Sequence, residues 1–329
     1  MQKVKIYFDE AEHKYTDDEG SVYTSTTQLI GKVTPVFDQE FWCMYRALDQ
    51  VGYKLKPDTV NRTITVNGQV CTLPQLYAGL FETIKTPSQI VREWKEITQR
   101  SLDRGNNTHN YLEDCVNAFY KKTTKDNGNN FQLSDINEKT FRFKIANVFE
   151  LENSPMKYSH PKVYDLLRKL ISSGYTIYAE KRIYSYEHKV SGTIDILAVR
   201  GKDFWIVDWK TNKDELKWKP GYYKKEWNKD RTEKVRTNKW VNTYDTFLFP
   251  LHNVPHSKGM GYALQLSLYA YVCELWGLNC KGLILYHLRE DDERKYPPKH
   301  YMITYYKHYI KLLMDWKLNK QRIHESFKN

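Results

Sequence analysis

Ser191 to Thr211 reads SGTIDILAVRGKDFWIVDWKT. Two apolar, strand-like runs flank a turn-like RGKD, and each carries an aspartate, Asp195 or Asp208, where the pattern asks for an apolar or neutral residue. Lys210 follows two places after the second. Burying a carboxylate costs several kcal/mol unless it is paired, protonated or bound to metal. With a four-residue turn over Arg200–Asp203, an antiparallel register pairs Val199 with Phe204 and, counting outward, Asp195 with Asp208. Residues opposed in this way hold their Cβ atoms about 4.5–5.5 Å apart, and like charges so placed repel. Lys210 points to the same face as Asp208 because strand side chains alternate. A divalent cation between the carboxylates reverses the sign of their interaction, and carboxylate oxygens are the ligands that magnesium and manganese take. A metal-bound water is a nucleophile, and a lysine beside it orients it or offsets charge developing on a phosphate. The competing reading of so short a pattern is a solvated Asp/Lys face on a hairpin.

Outward from this hairpin, the strand-like YTIYAEKRIYS precedes it, so that three strands form a meander. Glu180 on the first of them reads either as a further ligand or as an ion-pair partner of Lys181 or Arg182. Helical spacing covers Pro161–Ser172, closed by Ser-Ser-Gly, and also Phe141–Leu151. Upstream, Thr86–Tyr120 is helical, starting at Pro87 and restarting after Gly105. There RGNNTHNYLED places His109 and Glu113 one turn apart, a nitrogen and an oxygen on one helix face. The N-terminal third reads as a hairpin about DDEG, a helix near Thr26–Ile30, and a small β element about Asn67-Gly68, a two-residue hairpin signal.

Downstream, residues 212–258 break the pattern. From Lys213 to Trp240 ten Lys/Arg stand against five Asp/Glu, interleaved with Trp218, Tyr222, Tyr223, Trp227 and Trp240. Cations track a phosphate backbone and aromatic faces stack on unpaired bases at ~1–3 kcal/mol each, so single-stranded DNA or a frayed end suits this stretch. Packing of the same aromatics against the domain is the alternative. A helix carrying Gln265 and Tyr269 one turn apart, a strand KGLILYHL and a terminal helix complete the chain.

The whole has 329 residues, 40% of them apolar and 15% aromatic, with a net charge of +11. That composition describes a globular chain with a basic surface, which favours an anionic partner. Neither a bilayer-spanning run nor a signal or transit peptide is legible, which makes a cytoplasmic location the expectation, in a host cytoplasm if the protein is viral. The five cysteines are scattered with no CxxC pair, against a disulfide framework, a zinc ribbon or an iron–sulfur cluster.

RGNNTH with His109, a strand acid at Glu180, GTID ending in Asp195, DWK with Asp208 and Lys210, and QLSLY with Gln265 and Tyr269 stand in one order along the chain. In that order and on those element types they resemble the RecB-like branch of the PD-(D/E)XK nucleases, over about Arg104 to Tyr269. The opening FDEAEHKYTDDEGSVYTSTTQLI is similar to phage-encoded exonucleases of that branch and to the mitochondrial genome maintenance exonuclease. The resemblance implies a restriction-endonuclease-like α/β (α+β) core over 86–329. A mixed central sheet flanked by helices would carry the basic insertion, with an N-terminal extension over 1–85 packed on it. It implies Mg²⁺ or Mn²⁺, one or two ions, held by Asp195, Asp208, His109 and the backbone carbonyl of Trp209, with Glu113 and Glu180 in support. Lys210 would position the attacking water, and Arg104, Gln265 and Tyr269 would contact nucleic acid beside Trp218 and Trp227 of the insertion. No cysteine cluster follows Cys280, so the iron–sulfur cofactor of some relatives is not expected. The activity implied is a DNA exonuclease of viral replication or recombination, acting on single strands or duplex ends, with room for a recombination or single-strand-binding partner. A structure-specific endonuclease on the same fold is one alternative. A catalytically retired binding domain is the other, although retirement usually removes a carboxylate or the lysine, and all three are present.

Overall fold

The computed structural model describes residues 4, 6–9, 12, 14–117, 144–145, 151–152, 154–230, 234–289 and 297–326. Strands β1 (Ile6–Asp9), β2 (Lys14–Asp17) and β3 (Val22–Ser25) lead into helix α1 (Thr26–Gly31). Asp17 closes the β2–β3 turn by accepting from the N–H of Ser21 (2.7 Å) and of Glu19 (3.1 Å). Ser25 caps α1 in a reciprocal box with Gln28, an arrangement that satisfies two otherwise orphaned N–H groups. Helix α2 (Gln39–Val51) follows, capped by Asp38 and ended by Gly52 at φ +95°. Strands β4 (Leu55–Asp58), β5 (Thr63–Val66) and β6 (Gln69–Thr72) form a three-stranded antiparallel sheet, with the expected turn at Asn67-Gly68, both at positive φ. Pro57 sits on the edge strand β4, where its missing N–H costs no central ladder bond.

Helix α3 (Leu73–Tyr77) precedes α4 (Pro87–Asn117), which runs without the expected restart at Gly105. A glycine inside a helix costs only about 1 kcal/mol, less than the packing of the helix returns. The expected helix over Phe141–Leu151 is corrected in part: Lys144–Ile145 is a strand, β7, paired with Tyr178 and Ile177, and most of the remainder lies outside the described residues, as does the polar loop KKTTKDNGNN. Helices α5 (Met156–Ser159) and α6 (Pro161–Ser172) lead to the meander β8 (Thr176–Ser185), β9 (Val190–Arg200) and β10 (Asp203–Lys210). Then come β11 (Gly221–Trp227), β12 (Lys234–Asn242), α7 (Lys258–Leu275), β13 (Asn279–His287), β14 (Lys299–Ile303) and α8 (Lys307–Ser326).

The chain divides into two compact units: residues 1–34, 105–221 and 242–329, and residues 35–104 with 222–241. This differs from a break at 85/86. The first 34 residues join the first unit because Thr24 and Ser25 of β3 pair in parallel with Val190 and Ser191 of β9. The second unit consists of α2, α3, the N-terminal part of α4, the β4–β6 sheet and most of the β11–β12 hairpin.

The first unit is a mixed α/β fold around a nine-stranded sheet in the order β1-β2-β3-β9-β10-β13-β14, with β8 on the other edge of β9 and β7 on β8. β8, β9 and β10 are antiparallel neighbours, and β13 runs parallel to β10. Both faces are covered. Leu197, Val199, Phe204 and Ile206 pack in one core with Ala263, Leu266 and Ala270 of α7, while Ala198, Val207 and Trp209 pack in another with Leu112 of α4 and Leu167 of α6. Burial on two faces explains why these strands are apolar almost throughout. The stretch 212–258 is not all surface: Phe247, Leu251 and Val254 fill a third core with Leu264, Leu268 and Ile310.

Candidate active site at a strand fork

The β9–β10 ladder follows the expected register, with Val199 opposite Phe204, and ends at Ile196 opposite Val207. The next rung would set Asp195 against Asp208, and it does not form. The N–H of Trp209 donates instead to Asp195 Oδ2 at 2.7 Å. β8 occupies the far edge of β9 along its length, so β3 and β10 share the near edge, β3 at Val190–Ser191 and β10 from Ile196 onward. β10 meanwhile stays bonded to β13 through Lys210 opposite His287. The strands thus part at the two aspartates and leave a fork between them.

Five side chains meet there. Lys210 Nζ lies 2.6 Å from Asp208 Oδ2, and His109 Nδ1 of α4 lies 3.5 Å from Asp195 Oδ1. Donor atoms of His109, Glu180 and Asp195 all come within 4.8 Å of one another. Asp208 is 1% exposed and Asp195 8%. Glu180 lies opposite Asp195, flanked by the pairs Ala179–Ile196 and Lys181–Ile194, at φ +47°. A left-handed backbone at a non-glycine residue costs about 1–3 kcal/mol and persists where the surroundings hold it, most often at functional sites.

The electrostatics are those of a crowded acidic site. Burial, and then the Asp195 charge, push the Asp208 carboxyl up to about 6 despite Lys210. Burial also raises Glu180 well above the usual carboxylate range, aided by Asp195, Glu113 and Asp208. Burial works in the same direction on Asp195, but His109, Lys210 and the Trp209 N–H outweigh it and hold that carboxyl low. For His109 burial lowers the pKa, while Asp195 more than restores it. Within this cluster one lysine and one imidazole face three carboxyl groups, with Glu113 adding its charge and Arg182 opposing it at Glu180. A divalent cation would offset the excess, and the carboxylate oxygens are the donors that magnesium and manganese take.

The remaining expected residues fall in several places. Glu113, one turn along α4 from His109, acts through its charge on Glu180. Trp209 turns its indole into the core on the α4 and α6 side, 5.9 Å from the Tyr286 ring. Gln265 Nε2 donates to Tyr269 Oη at 2.8 Å, and Tyr269, buried on α7, feels the charge of Asp208. Arg104 and Trp227 belong to the second unit. Trp218 is partly buried: its ring stands edge-on to Tyr301 at 5.6 Å and beside Gly259, packed against the first core as the packing alternative has it.

Sequence reasoning missed three supports. A Cβ at Gly192 would come within 2.8 Å of Tyr269 and 2.9 Å of Thr26, so the glycine lets α1 and α7 close over β9. Thr26 hydrogen-bonds Tyr269, and no sequence signal links residues so far apart. The Tyr262 ring stands 4.9 Å from Lys210 Nζ, and its hydroxyl donates to Asn212 Oδ1 at 2.9 Å. Tyr262 was legible in principle, since 262, 265 and 269 share one helix face.

The fold and site therefore define a mixed α/β domain with a buried His/Glu/Asp/Asp/Lys cluster at a sheet fork. No family model, curated protein or solved structure matches this chain. Among the described residues no helix is long and apolar enough to cross a membrane.

Proposed function

We propose that the chain is an Mg²⁺- or Mn²⁺-dependent deoxyribonuclease of the PD-(D/E)XK type, acting as an exonuclease. The observation that supports this most is the meeting of Asp195, Asp208 and Lys210 at one fork, with His109 and Glu180 in reach. Asp195, Asp208 and His109 would hold the ion, with Glu180 beside them. The ion would supply an activated water and offset charge on the phosphate. Lys210, anchored by Asp208 and by the Tyr262 ring, would offer its ammonium to the attacking water or to a phosphate oxygen. The attacking water would give up a proton to solvent as its oxygen bonds phosphorus, the bond to the leaving ribose oxygen would break, and that oxygen would take a proton from solvent. Gln265 and Tyr269, bonded to each other on α7, would hold the strand beside the site.

The test is cleavage of end-labelled linear DNA and closed circular DNA with Mg²⁺, Mn²⁺ or EDTA. Loss of linear DNA alone, abolished by EDTA and by Asp208→Asn, is the expected result. Nicking of circles would replace the exonuclease with an endonuclease, and metal-dependent binding without cleavage would leave only a binding domain.

A further inference from the structure

Within the second unit, residues 35–104 carry nine Lys/Arg against eight Asp/Glu, whereas residues 222–241 carry seven against three. The positive surplus of that unit therefore sits on the β11–β12 hairpin. Its aromatic side chains are mostly engaged. Trp227 abuts Gly52 and has Lys234 Nζ 5.3 Å over its ring, and Lys234 is itself ion-paired with Asp49 of α2. Tyr223 meets Trp240 edge-on at 5.0 Å and carries the Arg236 guanidinium 3.8 Å above its ring. Tyr222 is the most exposed of these aromatics, at 56%, and Trp227 follows at 38%.

The cations behave otherwise. The side chains of Lys224 and Lys239 are 54% and 70% exposed and share a single carboxylate, Glu226, at 3.1 and 3.4 Å. Lys225 and Lys229 are exposed as well. Rings engaged by neighbours offer less face to stacking bases, while exposed ammonium groups can exchange water for phosphate oxygens and release counterions.

We infer that the β11–β12 hairpin is a contact surface for a phosphodiester backbone, bound through Lys224, Lys225, Lys229 and Lys239 rather than by base stacking. It holds single-stranded and duplex DNA alike. The inference rests on the reading of a nucleic-acid substrate, and it replaces the single-strand preference that the aromatic content of this stretch favours.

The experiment is fluorescence anisotropy of labelled single-stranded and duplex DNA in EDTA, from about 50 to 200 mM salt. The parent is compared with a quadruple Lys224→Ala, Lys225→Ala, Lys229→Ala, Lys239→Ala variant and with the matching Lys→Arg variant. Expected is a salt slope shallower by about 3 and an affinity at least about tenfold weaker at low salt for the alanine variant, on both DNA forms. The arginine variant retains the parent slope, and Tyr222→Leu changes affinity less than about threefold. An unchanged slope in the alanine variant overturns the proposal, and so does a loss in Tyr222→Leu confined to single strands. Metal-dependent cleavage by the parent is measured separately. Cleavage with an unaltered slope sinks the hairpin alone, a hairpin-dependent slope without cleavage sinks the nuclease alone, and a parent that binds no DNA sinks both.

Discussion

Two hairpins of this molecule carry charge in opposite ways. β9–β10 buries Asp195, Asp208 and Lys210 in the fork, where Asp208 is raised to about 6 by burial and by its neighbour. β11–β12 leaves Lys224, Glu226 and Lys239 at the surface, where the Glu226 carboxyl is lowered by its bonds to those two lysines. Water screens the second set and barely reaches the first. A buried cluster in which carboxyls outnumber cations is costly to keep, and on the proposed reading a divalent ion would offset that cost. An exposed cation costs nothing to keep, and its meaning comes only from its number and its company.

The comparison breaks soonest at the fork. Asp208→Asn keeps the shape and removes a charge, and cleavage should fall by about 10²–10³-fold, the scale of deleting one preorganised electrostatic partner. Rates within threefold of the parent would make the fork a structural device. Gly192→Val comes next. Its side chain collides with Tyr269 and Thr26, and denaturant melts should show about 1–3 kcal/mol of lost stability from overpacking. A parent-like midpoint would mean that α1 and α7 do not close over β9 as described.

Glu180→Gln sharpens the contrast, because it removes one buried carboxyl from a cluster that raises its own pKa. Thermal melts in EDTA should place this variant above the parent by about 1 kcal/mol, and the stabilisation that Mg²⁺ or Mn²⁺ adds to the parent should shrink. A lower midpoint in EDTA with an undiminished metal effect would remove Glu180 from the site. The smallest effect belongs to the exposed hairpin. Glu226→Gln should leave the melting midpoint where it is while strengthening DNA binding slightly at low salt, since it frees Lys224 and Lys239. A clear loss of stability would show that those pairs are part of the packing.

The legible parts of this fold are those whose signals are local. The Asn67-Gly68 turn, α6 with its Ser-Ser-Gly end and the β8–β10 meander all follow from turn chemistry and spacing. α2 had its signals too, Asp38 before it and Gly52 after it, but they gain weight only once the helix is placed. β7 was hidden because two residues in a helix-like pattern become a strand only by pairing with β8. Trp218 and Trp227 looked alike in the sequence, yet one packs against the core beside Tyr301 and the other stands against Gly52.

The sequence by itself determined the charge of the chain, the alternation that sends Asp208 and Lys210 to one face, and the hairpin register that brings Asp195 level with Asp208. Only the tertiary structure decided that the rung between those aspartates stays open, because Trp209 N–H bonds a carboxylate while β3 takes the next part of the same edge. It alone set His109 and Glu180 beside Asp195, and Thr26 and Gly192 against Tyr269. Periodicity reports which face a residue takes within its own element. Which elements face each other depends on burying all the apolar faces at once, and that condition is not written in any one stretch of the chain.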